Sequence, residues 1–242
     1  MITFPNCKIN LGLHILEKRS DGYHQLETVF YPLPLKDILE IIESEKGVVL
    51  SESGLPVDGN ENDNLCVKTY QLLKNDFPDL PAIKIHLHKG IPPGAGLGGG
   101  SADAAFMLTL LNKKFNLALS KEKLLEYSLQ LGSDCPFFIF NKPCFASGRG
   151  ELLEEIEMDL SGYKFLVIIP DIPVRTAWAF SQLNLKTQKK EKKGALKKII
   201  QQPVYTWKES LVNDFEEIIF SNHPDIALIK EKLYDAGATY AS

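Results

Sequence analysis

The chain has 242 residues, 44% of them apolar and 24% charged, with a formal net charge of −4. This length allows one large domain or two modest ones, and the apolar content excludes a wholly disordered chain. The mild negative charge argues against a general affinity for nucleic acid or for an anionic membrane.

Taken in chain order, residues 63–76 carry Leu65, Thr69, Leu72 and Leu73 at helical spacing, with Asn62 or Asp63 available to accept the first free amides. Residues 83–88 (IKIHLH) alternate apolar and polar and predict a half-buried strand, with His86 and His88 on its exposed face. A helix is expected from near Ser101 through Leu111, and another over residues 120–131 with Ser120 as its cap. The short apolar runs 137–140 (FFIF) and 165–169 (FLVII) are expected to be buried strands. Between them, residues 147–151 (SGRGE) form a glycine-rich turn, and a domain border is placed there, dividing the chain into 1–150 and 151–242. Residues 186–198 hold seven lysines and one glutamate and are expected to be a solvated surface loop. A last helix should open at Pro224 and end at Gly237. Cys7, Cys66, Cys135 and Cys144 are scattered and form no Cys-x-x-Cys pair, so neither a zinc knuckle nor a disulfide framework is expected. The first residues lack the pattern of a signal peptide, and no segment approaches the ~18–20 apolar residues of a membrane span. A cytoplasmic location is the expectation.

Chemistry concentrates in residues 90–105 (GIPPGAGLGGGSADAA), where six of sixteen residues are glycine. Without Cβ atoms this backbone can approach an anion closely, and the helix beginning near Ser101 adds its positive dipole end at the same place. A di- or triphosphate is the natural guest. Gly94 to Gly99 formally satisfies G-x-G-x-x-G, but a helix follows where the dinucleotide fold needs a strand ending in an acid. The P-loop pattern fails because Gly100 stands at its lysine position. Elsewhere, Lys8 lies in an apolar stretch (KINLGL) and Asp134 at the mouth of the apolar run 137–140, both costly placements unless paired or functional.

The string Pro92-Pro93-Gly94-Ala95-Gly96-Leu97-Gly98-Gly99-Gly100-Ser101-Ala102 resembles the central motif of the GHMP kinases, a family of small-molecule kinases. Three further segments support the resemblance: Cys7-Lys8-Ile9-Asn10-Leu11, Arg19-Ser20-Asp21-Gly22-Tyr23-His24, and Leu131-Gly132-Ser133-Asp134-Cys135-Pro136. The resemblance implies an α+β fold in two domains, an N-terminal one like ribosomal protein S5 and a C-terminal ferredoxin-like one, with ATP and substrate meeting between them. It further implies ATP with Mg²⁺, and transfer of the γ-phosphoryl group to the 2-hydroxyl of a cytidine-diphosphate-linked methylerythritol in non-mevalonate isoprenoid synthesis. The Arg-x-Asp-Gly-Tyr-His string points to that acceptor. Another GHMP kinase acting on a different alcohol, or a non-catalytic nucleotide-binding protein, are the alternatives.

By the same resemblance Lys8 and Asp134 are the catalytic pair, Asp134 accepting the hydroxyl proton and Lys8 offsetting charge on the attacking oxygen or the transferring group. Residues 92–102 would cradle the phosphates, and Asn64 would either contact adenine, cap a helix, or do both. Tyr23 and His24, presented by an Asp-Gly turn, would meet the pyrimidine, His24 through its ring or its backbone. Asn10 joins them, and Phe180, in preference to Trp178, supplies the second aromatic face. Magnesium ligands are not assigned. The partners expected are the small-molecule cytidine diphosphate substrate, with no nucleic acid and no membrane, and a monomer or weak homodimer. Family members carry another glycine-rich motif just after a segment like Ala238-Thr239-Tyr240-Ala241-Ser242, where this sequence stops. The C-terminal domain is therefore expected to be truncated, and a chain ending there to be weakly active.

Overall fold

A computed structural model describes residues 1–174, 176–183 and 193–242. Its strands and helices follow in the order β1 (Ile2–Thr3), β2 (Asn6–Lys18), β3 (His24–Lys36), β4 (Ile38–Glu43), β5 (Val48–Gly54), α1 (Leu65–Asp76), β6 (Ile83–Lys89), α2 (Gly99–Lys114), α3 (Lys121–Leu131) and α4 (Cys135–Phe140). The remainder are β7 (Cys144–Ser147), β8 (Leu152–Glu155), α5 (Thr176–Ser181), α6 (Ala195–Ile199), α7 (Trp207–Ser210), α8 (Glu216–Asn222) and α9 (Pro224–Asp235). Two compact units emerge, one of Met1–Ile9 with Tyr31–Lys142, the other of Asn10–Phe30 with Pro143–Ser242. The expected single cut at residue 150 does not describe them. Residues 148–151 close a hairpin, with Ser147 opposite Leu152 and Cys144 opposite Glu155, so this glycine turn joins paired strands instead of linking domains.

In the first unit a four-stranded sheet has the order β1-β4-β6-β5. Strands β4 and β6 are antiparallel with Ile41 opposite Ile85, while β5 and β6 are parallel with Leu50 opposite Ile85. The parallel pair requires a crossover, and α1 provides it. Along β6 the side chains alternate strictly: Ile83, Ile85, Leu87 and Lys89 are buried, and Lys84, His86 and His88 are exposed. The buried face packs with Val67, Tyr70 and Leu73 of α1, Met107, Leu108 and Leu111 of α2, and Leu124 and Tyr127 of α3. The exposed histidines hydrogen-bond Ser51 and Ser53 of β5 at 2.8–3.1 Å.

Four helices, α1, α2, α3 and α9, form where the sequence predicts them, with small differences at their ends. Asn64, rather than Asn62 or Asp63, caps α1, because Glu61–Asp63 is taken up by a 3₁₀ turn. Ser120 caps α3 by accepting from the Lys123 amide. Pro224 opens α9, and Gly237 follows its end at φ 93°. The run 137–140 is helical, not a strand: it lies in α4, with Pro136 in the first turn and Asn141 closing it at φ 50°. Apolar runs this short fit either element, and the flanking proline and asparagine decide.

In the second unit the sheet order is β2-β3-β7-β8, with Val29 of β3 opposite Phe145 of β7. Gly12, at φ 65°, lies where a Cβ would stand 2.7 Å from Leu211. The Leu13 amide donates to the Val212 carbonyl and the Ile15 amide to the Asp214 carboxylate, tying β2 to the C-terminal helices. Residues 165–169 form no strand and are 38–72% exposed. Apolar composition expresses only a preference, since a strand depends on a laddered neighbour from elsewhere in the chain. No strand follows β8 among the described residues. Of the lysine-rich stretch, residues 186–192 lie outside the described residues. The part beyond is not all loop, since α6 holds Lys197 2.5 Å from Glu154 and over the Phe145 ring. No helix among the described residues is long and apolar enough to cross a membrane.

Candidate active site

The glycine-rich segment joins β6 to α2 inside the first unit. Gly94, Gly96 and Gly98 adopt φ of 73°, 74° and 72°, while Ala95 and Leu97 between them do not take positive φ. Such alternation turns successive amides toward one concavity, the geometry of an anion-binding nest. No atom lies within 4 Å of where a Cβ would stand on Gly94 or Gly96, so those two positions face open space. Gly98 is the N-cap of α2 and offers no side-chain acceptor. The first amides of a sixteen-residue helix are therefore left for an anion, with the helix dipole behind them.

Lys8 reaches this place from β2. Its amide donates to the Leu97 carbonyl at 2.9 Å, and a Cβ on Gly98 would come within 3.2 Å of its side chain. The Lys8 ammonium lies 3.3 Å from Asp134 Oδ2; the lysine side chain is 5% exposed and the aspartate 36%. Asp134 occupies the cap position of α4 but makes no cap hydrogen bond, leaving its carboxylate directed to Lys8 and solvent. The sequence thus brings together two side chains 126 positions apart (134 minus 8), beside the start of α2. On the next residue, burial pushes the Cys135 thiol up to about 12, and the Ser101 hydroxyl is its hydrogen-bond partner. That contact ties the first turn of α2 to the first turn of α4. Asn64 sits apart as the α1 cap: its Oδ1 accepts from the Cys66 amide and its Nδ2 donates to Glu52, each at 2.9 Å.

Beneath the glycine segment lies a buried trio that sequence reasoning missed. Lys89 donates to Asp37 Oδ2 in a very short contact and to Asp103 Oδ2 at 2.7 Å, with all three side chains at most 4% exposed. Asp37 Oδ1 accepts from the amides of Gly90 and Ile91 at 2.7 and 2.8 Å. Burial pushes the Asp103 carboxyl up to about 7 although Lys89 opposes it. Burial lowers Lys89, but the two carboxylates outweigh it and hold the ammonium above its ordinary value. The signal was present in the alternation of β6, which places Lys89 at a core-facing position.

The second unit collects the other residues singled out. The Asp21-Gly22 turn is closed by the Arg19 amide donating to the Tyr23 carbonyl at 2.8 Å, with Gly22 at φ 86°. Asp21 accepts from both the Tyr23 amide and the Arg19 guanidinium, which holds its carboxyl below the usual value. His24 stacks on Phe180 with ring centroids 4.9 Å apart and planes at 18°. Partial burial and Lys18 keep this imidazole below its ordinary pKa, so the neutral ring is favoured in the stack. Phe180 is braced edge-on by Phe215, whereas Trp178 turns to His223. Tyr23 is 56% exposed, with the Arg149 guanidinium 4.6 Å from its ring. Asn10 donates to Thr28 Oγ1 at 3.0 Å. Among the described residues no three His, Cys, Asp or Glu side chains cluster closely enough to hold a metal ion.

The family described as GHMP kinases N terminal domain matches residues 64–142. A Bacteroides fragilis protein named 4-diphosphocytidyl-2-C-methyl-D-erythritol kinase is 54% identical over 245 residues, spanning all of this chain and 88% of the relative. The protein of that name from Lawsonia intracellularis is 37% identical over 97% of this chain and 82% of its own length. A crystal structure of 4-(cytidine 5'-diphospho)-2C-methyl-D-erythritol kinase superposes with a TM-score of 0.79 at 26% identity, covering 98% of this chain and 84% of that one. Homoserine kinase from Cytophaga hutchinsonii shares the fold, with a TM-score of 0.62 at 14% identity over 97% of this chain and 80% of that one.

Proposed function

The chain belongs to the GHMP kinases, and from that membership we propose how its own residues carry out the reaction that the names of its relatives describe. It is an ATP-dependent phosphotransferase acting on an alcohol, 4-diphosphocytidyl-2-C-methyl-D-erythritol, in isoprenoid synthesis. Residues 92–102 cradle the polyphosphate, with the amides of the 94–98 nest and the start of α2 as donors. The acceptor oxygen is the 2-hydroxyl. Its proton passes to the Asp134 carboxylate as the new O–P bond forms and the bond from the γ-phosphorus to the β-bridging oxygen breaks, releasing ADP. Lys8, 3.3 Å from Asp134, offsets charge on the entering oxygen and on the transferring group.

Mg²⁺ would neutralise the phosphates. Among the described residues no three-ligand cluster is found for it, and the nucleotide phosphates would carry it into the site. Tyr23 and Phe180 supply aromatic faces for the cytosine, with His24 and Asn10 at the same subsite. The His24 ring already stacks on Phe180, so the base would displace it or stack beyond it. Asn64 contributes on the adenine side while keeping its cap.

One observation carries this reading: the Lys8–Asp134 pair stands beside the glycine segment that leads into α2. ADP release with ATP, Mg²⁺ and the cytidine diphosphate acceptor tests it. Asp134→Asn is expected to lower kcat by about 10²–10⁴-fold with the KM for ATP little changed. Turnover near that of the parent chain would refute the assignment.

A further inference from the structure

The glycine segment is entered from Lys89 and left at α2, and both ends meet one buried charge cluster. At the entry, a single oxygen of Asp37 accepts from the first two amides of the segment, Gly90 and Ile91. At the exit, Asp103 stands one turn into α2 and receives the Lys89 ammonium at 2.7 Å. Lys89 donates to Asp37 as well, so one ammonium joins the two carboxylates. Gly99 allows α2 to settle on this cluster: a Cβ there would stand 3.4 Å from Lys89 Nζ and 3.0 Å from the Ile91 side chain.

Burying charge is a poor route to stability, since hydrocarbon of similar volume generally serves as well. What such a cluster does supply is a fixed geometry, because its carboxylates and ammonium have directional partners. We propose that Asp37, Lys89 and Asp103 form an ionic clasp that holds the nucleotide loop in its anion-binding shape before ATP arrives, with Asp37 as the positioning residue for the entry amides. The inference rests on the reading that this loop holds ATP. A loop closed at its base in this way loses little freedom when the nucleotide binds. With the clasp opened, ordering the loop would be charged against ATP affinity, while acceptor binding, which uses Asn10, Tyr23, His24 and Phe180, would be spared.

The test is calorimetric binding of a non-hydrolysable ATP analogue to the parent chain and to Asp37→Asn, with KM values for both substrates. The expected result is binding weakened about tenfold, the factor one lost charge-assisted hydrogen bond carries, with the acceptor KM unchanged. A core variant remote from the loop, Leu80→Ala, should lower stability without moving nucleotide affinity. If the parent chain binds no nucleotide, the loop's assignment to ATP fails. If the parent binds and Asp37→Asn binds equally well, the clasp alone is overturned. Should Asp37→Asn fail to fold, hydrogen exchange on the ligand-free parent chain decides. The Gly90 and Ile91 amides should be protected like those of Ile85 and Leu87 in β6. Exchange as fast as at Gly94 and Gly96 would overturn the clasp.

Discussion

Adding one methyl group at Gly98 should damage both stability and turnover, for two separable reasons. Gly98 has φ 72° and ψ 16°, a left-handed conformation that costs an L-residue roughly 1–2 kcal/mol. The new Cβ would also stand 3.0 Å from Phe138 Cζ and 3.2 Å from Lys8 Cγ, and such overpacking typically costs about 1–3 kcal/mol. Gly98→Ala should therefore lose about 2–5 kcal/mol, and each kcal/mol lowers Tm by about 2–4 °C in a chain of this size. Because Lys8 is one of the crowded groups, kcat should fall too, by up to about 10²-fold for a shift near 1 Å. Two other alanines calibrate the result in ligand-free protein. Gly94→Ala bears only the backbone penalty, since φ is 73° but no atom lies within 4 Å. Gly100→Ala lies in the helix with its nearest neighbour at 3.8 Å, and should be neutral or gain up to about 1 kcal/mol. Thermal melts should rank Gly100→Ala at or above the parent, then Gly94→Ala, then Gly98→Ala. If Gly98→Ala melts no lower than Gly94→Ala, the close approach of Phe138 and Lys8 is not what demands glycine.

Asp103 makes stability depend on pH with a definite sign. Its carboxyl titrates near 3.8 when exposed and at about 7 in the fold, so the folded state holds an extra proton between those values. Its contribution therefore diminishes as pH rises from about 4 through about 7 and levels off above. Asp103→Asn should remove that slope, gaining on the parent chain in urea midpoint between about pH 5 and about pH 8; parallel pH profiles would contradict it. Tyr23→Ala and Phe180→Ala should each raise the acceptor KM about fivefold to a hundredfold, as lost base stacking predicts, without raising that for ATP. An unchanged acceptor KM in both would remove the aromatic subsite.

Much of the first unit was legible in the sequence because its signals are local. Alternation over residues 83–88, helical spacing after Asn64 and Ser120, and the glycine density before Ser101 each state a backbone preference within one window. Where two elements share a signal, the window was too narrow. Residues 137–140 and 165–169 read alike as apolar runs, yet one is the buried helix α4 and the other is exposed and irregular. The hairpin at 148–151 looked like a linker because its partner strands lie outside the turn itself.

The chemistry divides in the same way. Glycine spacing declares a backbone free to take positive φ by itself, since the absence of Cβ atoms is a property of the residues and not of their neighbours. Motif resemblance named Lys8 with Asp134 and preferred Phe180 to Trp178, but the 3.3 Å separation of the first pair, the stacking of the His24 ring itself on Phe180, and the sharing of Lys89 by Asp37 and Asp103 were decided by tertiary structure. Lys8 with Asp134, His24 with Phe180, and Asp37 with Lys89 are each more than fifty positions apart in the chain, and even Lys89 and Asp103 lie on different elements. A charged or aromatic side chain carries no mark of its partner until the fold removes both from water and makes their separation matter.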